Sequence, residues 1–263
     1  MDRRYRSSRR KGSDDTPEIV VQVDSPQDFA SAQAFLTEGE IFYCEPIEWG
    51  SNYSFAVALR RAEEQRLAIY KPRRGEVPLW DFPDGTLYKR EYASYLVTQA
   101  LGWQFIPPTV LREGPHGVGT VQWYIDHEPR NDLEALAQTN RSELARIALF
   151  DIFSNNADRK SGHTLRGRDG KLWGIDHGLT FNVDAKLRTV IWEFCGDSIP
   201  EDALGEMRGL LDDTKRRGAL TNELRELLDR AEVTTFFTRF ERLSRAGTFP
   251  NLDPYRNVPR GWW

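Results

Sequence analysis

The chain has 263 residues, 36 Lys plus Arg against 40 Asp plus Glu, and a formal charge of -4, with 39% of its residues in the apolar set. That length supports one large domain or two lobes with a sizeable core. Cys44 and Cys195 are too few for a disulfide framework, and no CxxC or Cys/His cluster suggests structural zinc. A reducing cytoplasm is the expected compartment, because no apolar run reaches membrane-spanning length and no apolar segment follows the basic N-terminus. Residues 1 to 12 hold Arg3, Arg4, Arg6, Arg9, Arg10 and Lys11 against Asp2, which leaves the remainder of the chain at -9. An acidic body argues against a nucleic-acid binder. The basic arm is expected to be a disordered tail over 1–16, with contact to an anionic surface as its other possible use.

A first strand is expected over Glu18 to Val23. Ser25, Pro26 and Asp28 then read as a helix start, with Gly39 as the stop. Ile41 to Ile47, Tyr53 to Leu59 and Arg66 to Tyr70 read as an antiparallel meander that ends at Lys71-Pro72. The Pro- and Gly-rich stretch 72–86 is a loop, and Leu87 to Leu101 has helical spacing before Gly102. Thr109 to Arg112 and Thr120 to Ile125 form a hairpin across a turn with Gly114, Gly117 and Gly119. Asn140 and Glu143 are expected to cap a helix running to Phe153, which is apolar around most of its circumference and so should be buried. A short hairpin turns at Arg168-Asp169-Gly170, and the C-terminal third is helical. Strands first and helices later give an α+β fold, with a lobe boundary near 126–132.

Two segments carry the candidate chemistry. Asn155-Asn156-Ala157-Asp158-Arg159-Lys160-Ser161-Gly162-His163 leaves the buried helix, and Gly174-Ile175-Asp176-His177-Gly178 leaves a strand. A glycine after that strand would let the chain turn and aim Asp176 into the loop region. Paired aspartates on either side of a short hairpin suit phosphoryl transfer, one orienting an acceptor hydroxyl and taking its proton, the other holding a metal on nucleotide phosphates. Lys71, at a strand end, can reach phosphates, and Glu91, on the next helix, can pin it by an ion pair. His177 can orient the turn or make a simple structural hydrogen bond. His116 lies in a hairpin turn and His127 near the lobe boundary, where it could line a cleft; Trp123 and Trp192 stand out by position only.

In these motifs the chain resembles the phosphatidylinositol 3-/4-kinase-like branch of the protein-kinase-like fold, most closely type II phosphatidylinositol 4-kinases and their small actinobacterial relatives. Gly50-Ser51-Asn52-Tyr53-Ser54-Phe55 resembles the phosphate loop, Ala68-Ile69-Tyr70-Lys71-Pro72 the lysine strand, and Arg90-Glu91-Tyr92-Ala93 the glutamate helix. Val118 to Ile125 resembles the strand entering the hinge, Asn156-Ala157-Asp158-Arg159 the catalytic loop, and Ile175-Asp176-His177-Gly178-Leu179 the metal turn. The resemblance implies a two-lobed kinase fold with a tail over 1–16, an antiparallel-sheet N-lobe over 17–127 and a mainly helical C-lobe over 128–263. It implies an ATP-dependent phosphotransferase acting on a hydroxyl acceptor: an inositol lipid, a protein or a small metabolite. Asp158, Lys71 and Arg159 would be catalytic. Ser51, Asn52, Tyr53, Ser54, Lys71 and Glu91, with backbone groups of Gln122, Trp123, Tyr124 and Ile125, would bind the nucleotide. The family's second metal-ligand asparagine is replaced by His163, so Asp176 and His163 would hold Mg²⁺ or Mn²⁺, imidazole favouring Mn²⁺. Two alternatives remain open: a non-catalytic nucleotide-binding module, and a metal-dependent phosphoester hydrolase using Asp158, His163, Asp176 and His177.

Overall fold

The computed structural model describes residues 4–5, 19–47, 52–129 and 132–259. It divides into two compact units, Met1–Pro78 with Pro107–Asp126, and Leu79–Ile106 with His127–Trp263.

The first unit opens with β1 (Arg4–Tyr5) paired antiparallel to β2 (Ile19–Val20). Arg4 and Tyr5 thus depart from the unstructured tail expected over 1–16, because the edge of β2 gives their backbone a partner; the rest of that basic arm lies outside the described residues. Helix α1 (Phe29–Glu38) starts later than the Ser25-Pro26 reading, since Asp28 itself is the cap and accepts from the Ser31 N–H at 2.8 Å. The main sheet contains β3 (Glu40–Ile47), β4 (Ser54–Arg61), β5 (Glu64–Pro72), β6 (Thr109–Gly114) and β7 (Gly117–Trp123). Its order is β3-β4-β5-β7-β6, antiparallel throughout. Ala56, Val57, Ala58 and Leu59 in β4 are consecutive and all buried, as befits a strand covered on both faces. Arg112 ties α1 to this sheet by donating to the carbonyls of Leu36 and Gly39 at 2.6 and 2.8 Å.

One glycine has a different job from the expected one. Gly119 lies inside β7 opposite Pro72, where a Cβ would sit 2.4 Å from the Lys71 carbonyl oxygen and 2.6 Å from the Pro72 Cα. Its missing side chain lets two backbones pack closely behind Lys71. The β6–β7 turn itself is Pro115-His116, with Gly117 left-handed at φ 95°.

The second unit begins with α2 (Leu87–Leu101), which stops at the left-handed Gly102 as its sequence predicts. This helix groups with the C-terminal helices instead of completing a contiguous 17–127 lobe. It packs on the helices Glu201–Asp212 and Thr214–Leu227, and Arg90, fully buried, adds a polar tie: its guanidinium donates to the Thr180 carbonyl at 2.7 Å and to Glu232 at 2.5 Å. Helix α3 (Leu133–Thr139), absent from the sequence reading, is capped by Asp132 and leads to α4 (Arg141–Ser154). Asn140 and Glu143 do not form the expected reciprocal cap. The Asn140 amide donates to Glu143 at 2.6 Å and to the Gly170 carbonyl at 3.0 Å, tying the helix start to the hairpin of β8 (Thr164–Arg166) and β9 (Leu172–Gly174). Helices α5 (Glu201–Asp212), α6 (Thr214–Leu227) and α7 (Arg230–Ala246) complete the unit. Phe150, Phe153, Phe181, Phe236 and Phe240 form an edge-to-face aromatic core beneath α4 and α7. Among the described residues no helix is long and apolar enough to cross a membrane.

Candidate active site

Helix α4 ends at Asn155 in a left-handed conformation, φ 59°. The Asn155 side chain accepts from the Lys186 N–H at 2.8 Å and donates to the carbonyls of Asn182 and Asp184 at 2.9 and 2.6 Å. Asn156 donates to the Asp151 carboxylate at 2.8 Å and accepts from the Asp158 N–H at 3.0 Å, which fixes the backbone that presents Asp158. The Asp158 carboxylate remains 26% exposed and pairs with Lys160 at 2.9 Å.

Arg159 is the residue on which the loop turns. It is fully buried, and all five guanidinium N–H groups are used. Nε and Nη2 grip both oxygens of Asp151 at 2.8 Å, Nη1 donates to the carbonyls of His163 and Ile175 at 2.9 and 3.1 Å, and Nη2 also donates to the His177 Nε2 at 2.7 Å. A guanidinium only donates, so Nε2 accepts and the His177 proton sits on Nδ1. The expected catalytic role of Arg159 is corrected: a side chain with no free donor and no exposure positions the 155–163 loop and the 174–178 turn against each other. Asp151, the partner that makes this possible, was missed. Its signal was a single acid in the buried run Leu144 to Phe153, where an unpaired carboxylate is prohibitively costly.

His177 is likewise interior. Its ring packs against Phe105 and Phe150, and its backbone N–H donates to the Glu91 carboxylate at 2.9 Å. Asp176, immediately before it, is exposed and left-handed at φ 62°. The sharp turn is therefore made by Asp176 itself, which tolerates that region. Gly174 serves packing instead, since a Cβ there would lie 3.1 Å from the Phe105 ring. The Asp176 carboxylate stands 3.4 Å from the His163 Nε2, so the two expected metal ligands are neighbours. Among the described residues no group of three or more His, Cys, Asp or Glu side chains converges. A carboxylate and an imidazole fit a divalent ion whose remaining ligands are phosphate oxygens and water.

In the first unit Lys71 lies near the end of β5, half-buried, opposite Thr120. Asn52 accepts from the Val77 N–H at 2.8 Å, and the Tyr53 N–H donates to the Gly75 carbonyl at 2.9 Å, so residues 52–53 are tied to the stretch after β5. Tyr53 is exposed and Ser54 opens β4 opposite Ile47. Ser51, with Trp49 and Gly50, lies outside the described residues. The side chains of Gln122 and Trp123 are committed internally, to Thr109 at 2.9 Å and to the Asp24 carbonyl at 2.8 Å. The N–H groups of Trp123 and Tyr124 donate to the carbonyls of Pro108 and Leu67, and Ile125 is buried beyond the ladder. His116 stacks on Phe55 with centroids 4.3 Å apart, His127 meets the Glu128 carbonyl, and Trp192 donates to the Thr189 carbonyl.

No protein-family model matches the chain. Its fold is similar to that in the crystal structure of the golgi casein kinase, with a TM-score of 0.51 at 13% identity over 86% of this chain and 80% of that one. The structure of the Golgi casein kinase with Mn/ADP bound gives 0.53 at 14% identity with the same coverage. These likenesses establish a kinase-like α+β fold, an antiparallel-sheet unit joined to a helical one. Protein Rv2133c of Mycobacterium tuberculosis (strain ATCC 25618 / H37Rv) is 34% identical over 261 residues, covering 86% of this chain and 93% of its own length. The chain belongs to the family of Protein Rv2133c.

Proposed function

We propose that the protein is an ATP-dependent phosphotransferase that moves a phosphoryl group to a hydroxyl acceptor, as the resemblance to phosphatidylinositol 3-/4-kinases implies. The observation that carries this reading is the buried Arg159 network. It spends a paired charge to hold Asp158, half-buried, and Asp176, exposed, in a fixed mutual frame, a costly arrangement with no packing advantage over apolar residues. Asp158 orients the acceptor hydroxyl and takes its proton. Lys71 contacts the nucleotide phosphates, and Glu91 is assigned with it to nucleotide binding. Asn52, Tyr53 and Ser54, with Ser51, form the phosphate loop, and the backbone at Ile125 meets adenine, since the amides of Trp123 and Tyr124 are already engaged. Asp176 and His163 hold a divalent ion, which when bound neutralises charge on the phosphates; the imidazole favours Mn²⁺ over Mg²⁺. A nucleotide and Mn are named for one Golgi casein kinase structure of this fold, which supports the same pairing here. We place the activity in the cytoplasm.

Thermal denaturation with ATP and Mn²⁺ or Mg²⁺ tests the reading. A stabilising shift, larger with Mn²⁺, is expected for the wild type and should be lost in Lys71→Met. No shift with either ion would end it.

A further inference from the structure

Wholly within the second unit, α5, α6 and α7 line a cavity of about 410 Å³, and none of its lining residues belongs to the candidate active site. Its size falls in the range of roughly 300–1,000 Å³ that small-molecule sites occupy. Arg208 and Asp212 face it from α5, and Glu241, Ser244 and Arg245 from α7, each set spaced three or four residues apart on one helix face. Arg217 adds a wall from α6.

These polar groups differ in what already occupies them. Arg217 donates to Glu241 at 2.6 Å while its guanidinium lies over the Phe237 ring at 5.0 Å, so those two charges cancel in place. The side chains of Arg208, Asp212 and Arg245 are exposed and make no ion pair or hydrogen bond among the described residues. Ser244 is only 3% exposed, yet its hydroxyl also has no hydrogen-bond partner among the described residues. Other hydroxyls of the same helix do not behave this way: Thr234, Thr235 and Thr238 each donate to the carbonyl four residues back, at 2.8, 2.8 and 2.9 Å. A buried hydroxyl left unpaired is costly, and one that lines a cavity can be paired by a ligand.

With Arg217 and Glu241 cancelled, two guanidinium groups remain against one carboxylate, a locally positive site on a chain of formal charge -4. Two guanidinium forks and a hydroxyl offer more donors than the two oxygens of a carboxylate can accept, whereas a phosphate monoester presents three acceptor oxygens. Asp212 then remains to accept from a hydroxyl on the same ligand. We propose that this cavity binds a small hydroxyl-bearing phosphate monoester, with Arg208, Arg245 and Ser244 on its phosphate and Asp212 on its hydroxyl. The proposal stands apart from the phosphotransferase reading.

Titration calorimetry of the full chain with glycerol 3-phosphate, inorganic phosphate, glycerol and succinate tests it. Glycerol 3-phosphate should bind saturably and most tightly of the four. Arg208→Ala and Arg245→Ala should each weaken it by about tenfold, the margin of one charge-assisted contact. Ser244→Ala should weaken it several-fold yet melt no lower than the wild type, because it removes an unpaired buried hydroxyl; that separates lost binding from lost folding. Asp212→Asn should narrow the preference for glycerol 3-phosphate over inorganic phosphate. The double variant Arg208→Ala/Arg245→Ala should lose the site while binding ATP with Mn²⁺ as the wild type does, so that failure here and failure of the nucleotide site are read separately. No saturable binding of glycerol 3-phosphate, binding that survives in the double variant, or equal affinity for succinate overturns the inference.

Discussion

In the sheet unit Lys71 is held by backbone: β5 pairs with β7, and Gly119 permits the close approach behind it. In the helical unit Asp158 and Asp176 are held by buried charge, with Arg159 bonded at once to Asp151, His163, Ile175 and His177. The ladder tolerates most side-chain changes, because its bonds are made by groups every residue has. The guanidinium network is specific and brittle, because removing one member strands the others in the interior.

Arg159→Met should therefore produce the largest effect, about 3–5 kcal/mol of lost stability in chemical denaturation, since Asp151 is left as an unpaired buried carboxylate. Arg159→Lys should rescue little, because an ammonium cannot reproduce the planar fork. Arg90→Met probes a second buried pair, with side chains 1% and 9% exposed, and should cost about 3 kcal/mol while loosening α2 from α7. If both substitutions proved neutral, the contrast between the units would collapse.

Gly119→Ala challenges the ladder side of the contrast. The clash with the Lys71 carbonyl should cost about 1–3 kcal/mol and weaken ATP binding by displacing Lys71, an effect visible in nucleotide titrations. The smallest effect belongs to the pair of half-buried Arg146 with exposed Asp202. The hydrogen bond from Arg146 holds the Asp202 carboxyl below its ordinary value of 3.8. Its folded pKa is thus depressed, so the contribution is present above the ordinary value and disappears as pH falls through the lower folded one. Asp202→Asn should cost under about 1 kcal/mol at neutral pH and nothing in strong acid.

The elements with local signals were readable in sequence. Helix α2 ends at Gly102 as its spacing and terminator predict, the meander strands fall where the turn residues separate them, and the 168–170 turn is correctly located. Long-range polar chemistry was much less legible. Asp158, Asp176 and His163 stand out by motif, but the roles of Arg159, Asp151 and Arg90 depend on partners up to 142 residues away along the chain. Helix α3 was overlooked because seven residues give too little periodicity, and Asp28 was passed over as a cap because Ser25-Pro26 offered a stronger local pattern. The turn after β9 shows the same limit: the expected turn-making glycine is not what bends the chain, because Asp176 adopts the left-handed conformation.

The central claim is that Asp158 and Asp176 form one phosphotransfer site with separable duties. Calorimetric titration of ATP with Mn²⁺ into the wild type, Asp158→Ala and Asp176→Ala, alongside ADP release from the same samples with water serving as the hydroxyl acceptor, tests it most directly. The account predicts that the wild type binds and turns over, that Asp158→Ala binds but does not turn over, and that Asp176→Ala loses metal-dependent binding. Undiminished turnover in Asp158→Ala, or metal-dependent binding unchanged in Asp176→Ala, would contradict it.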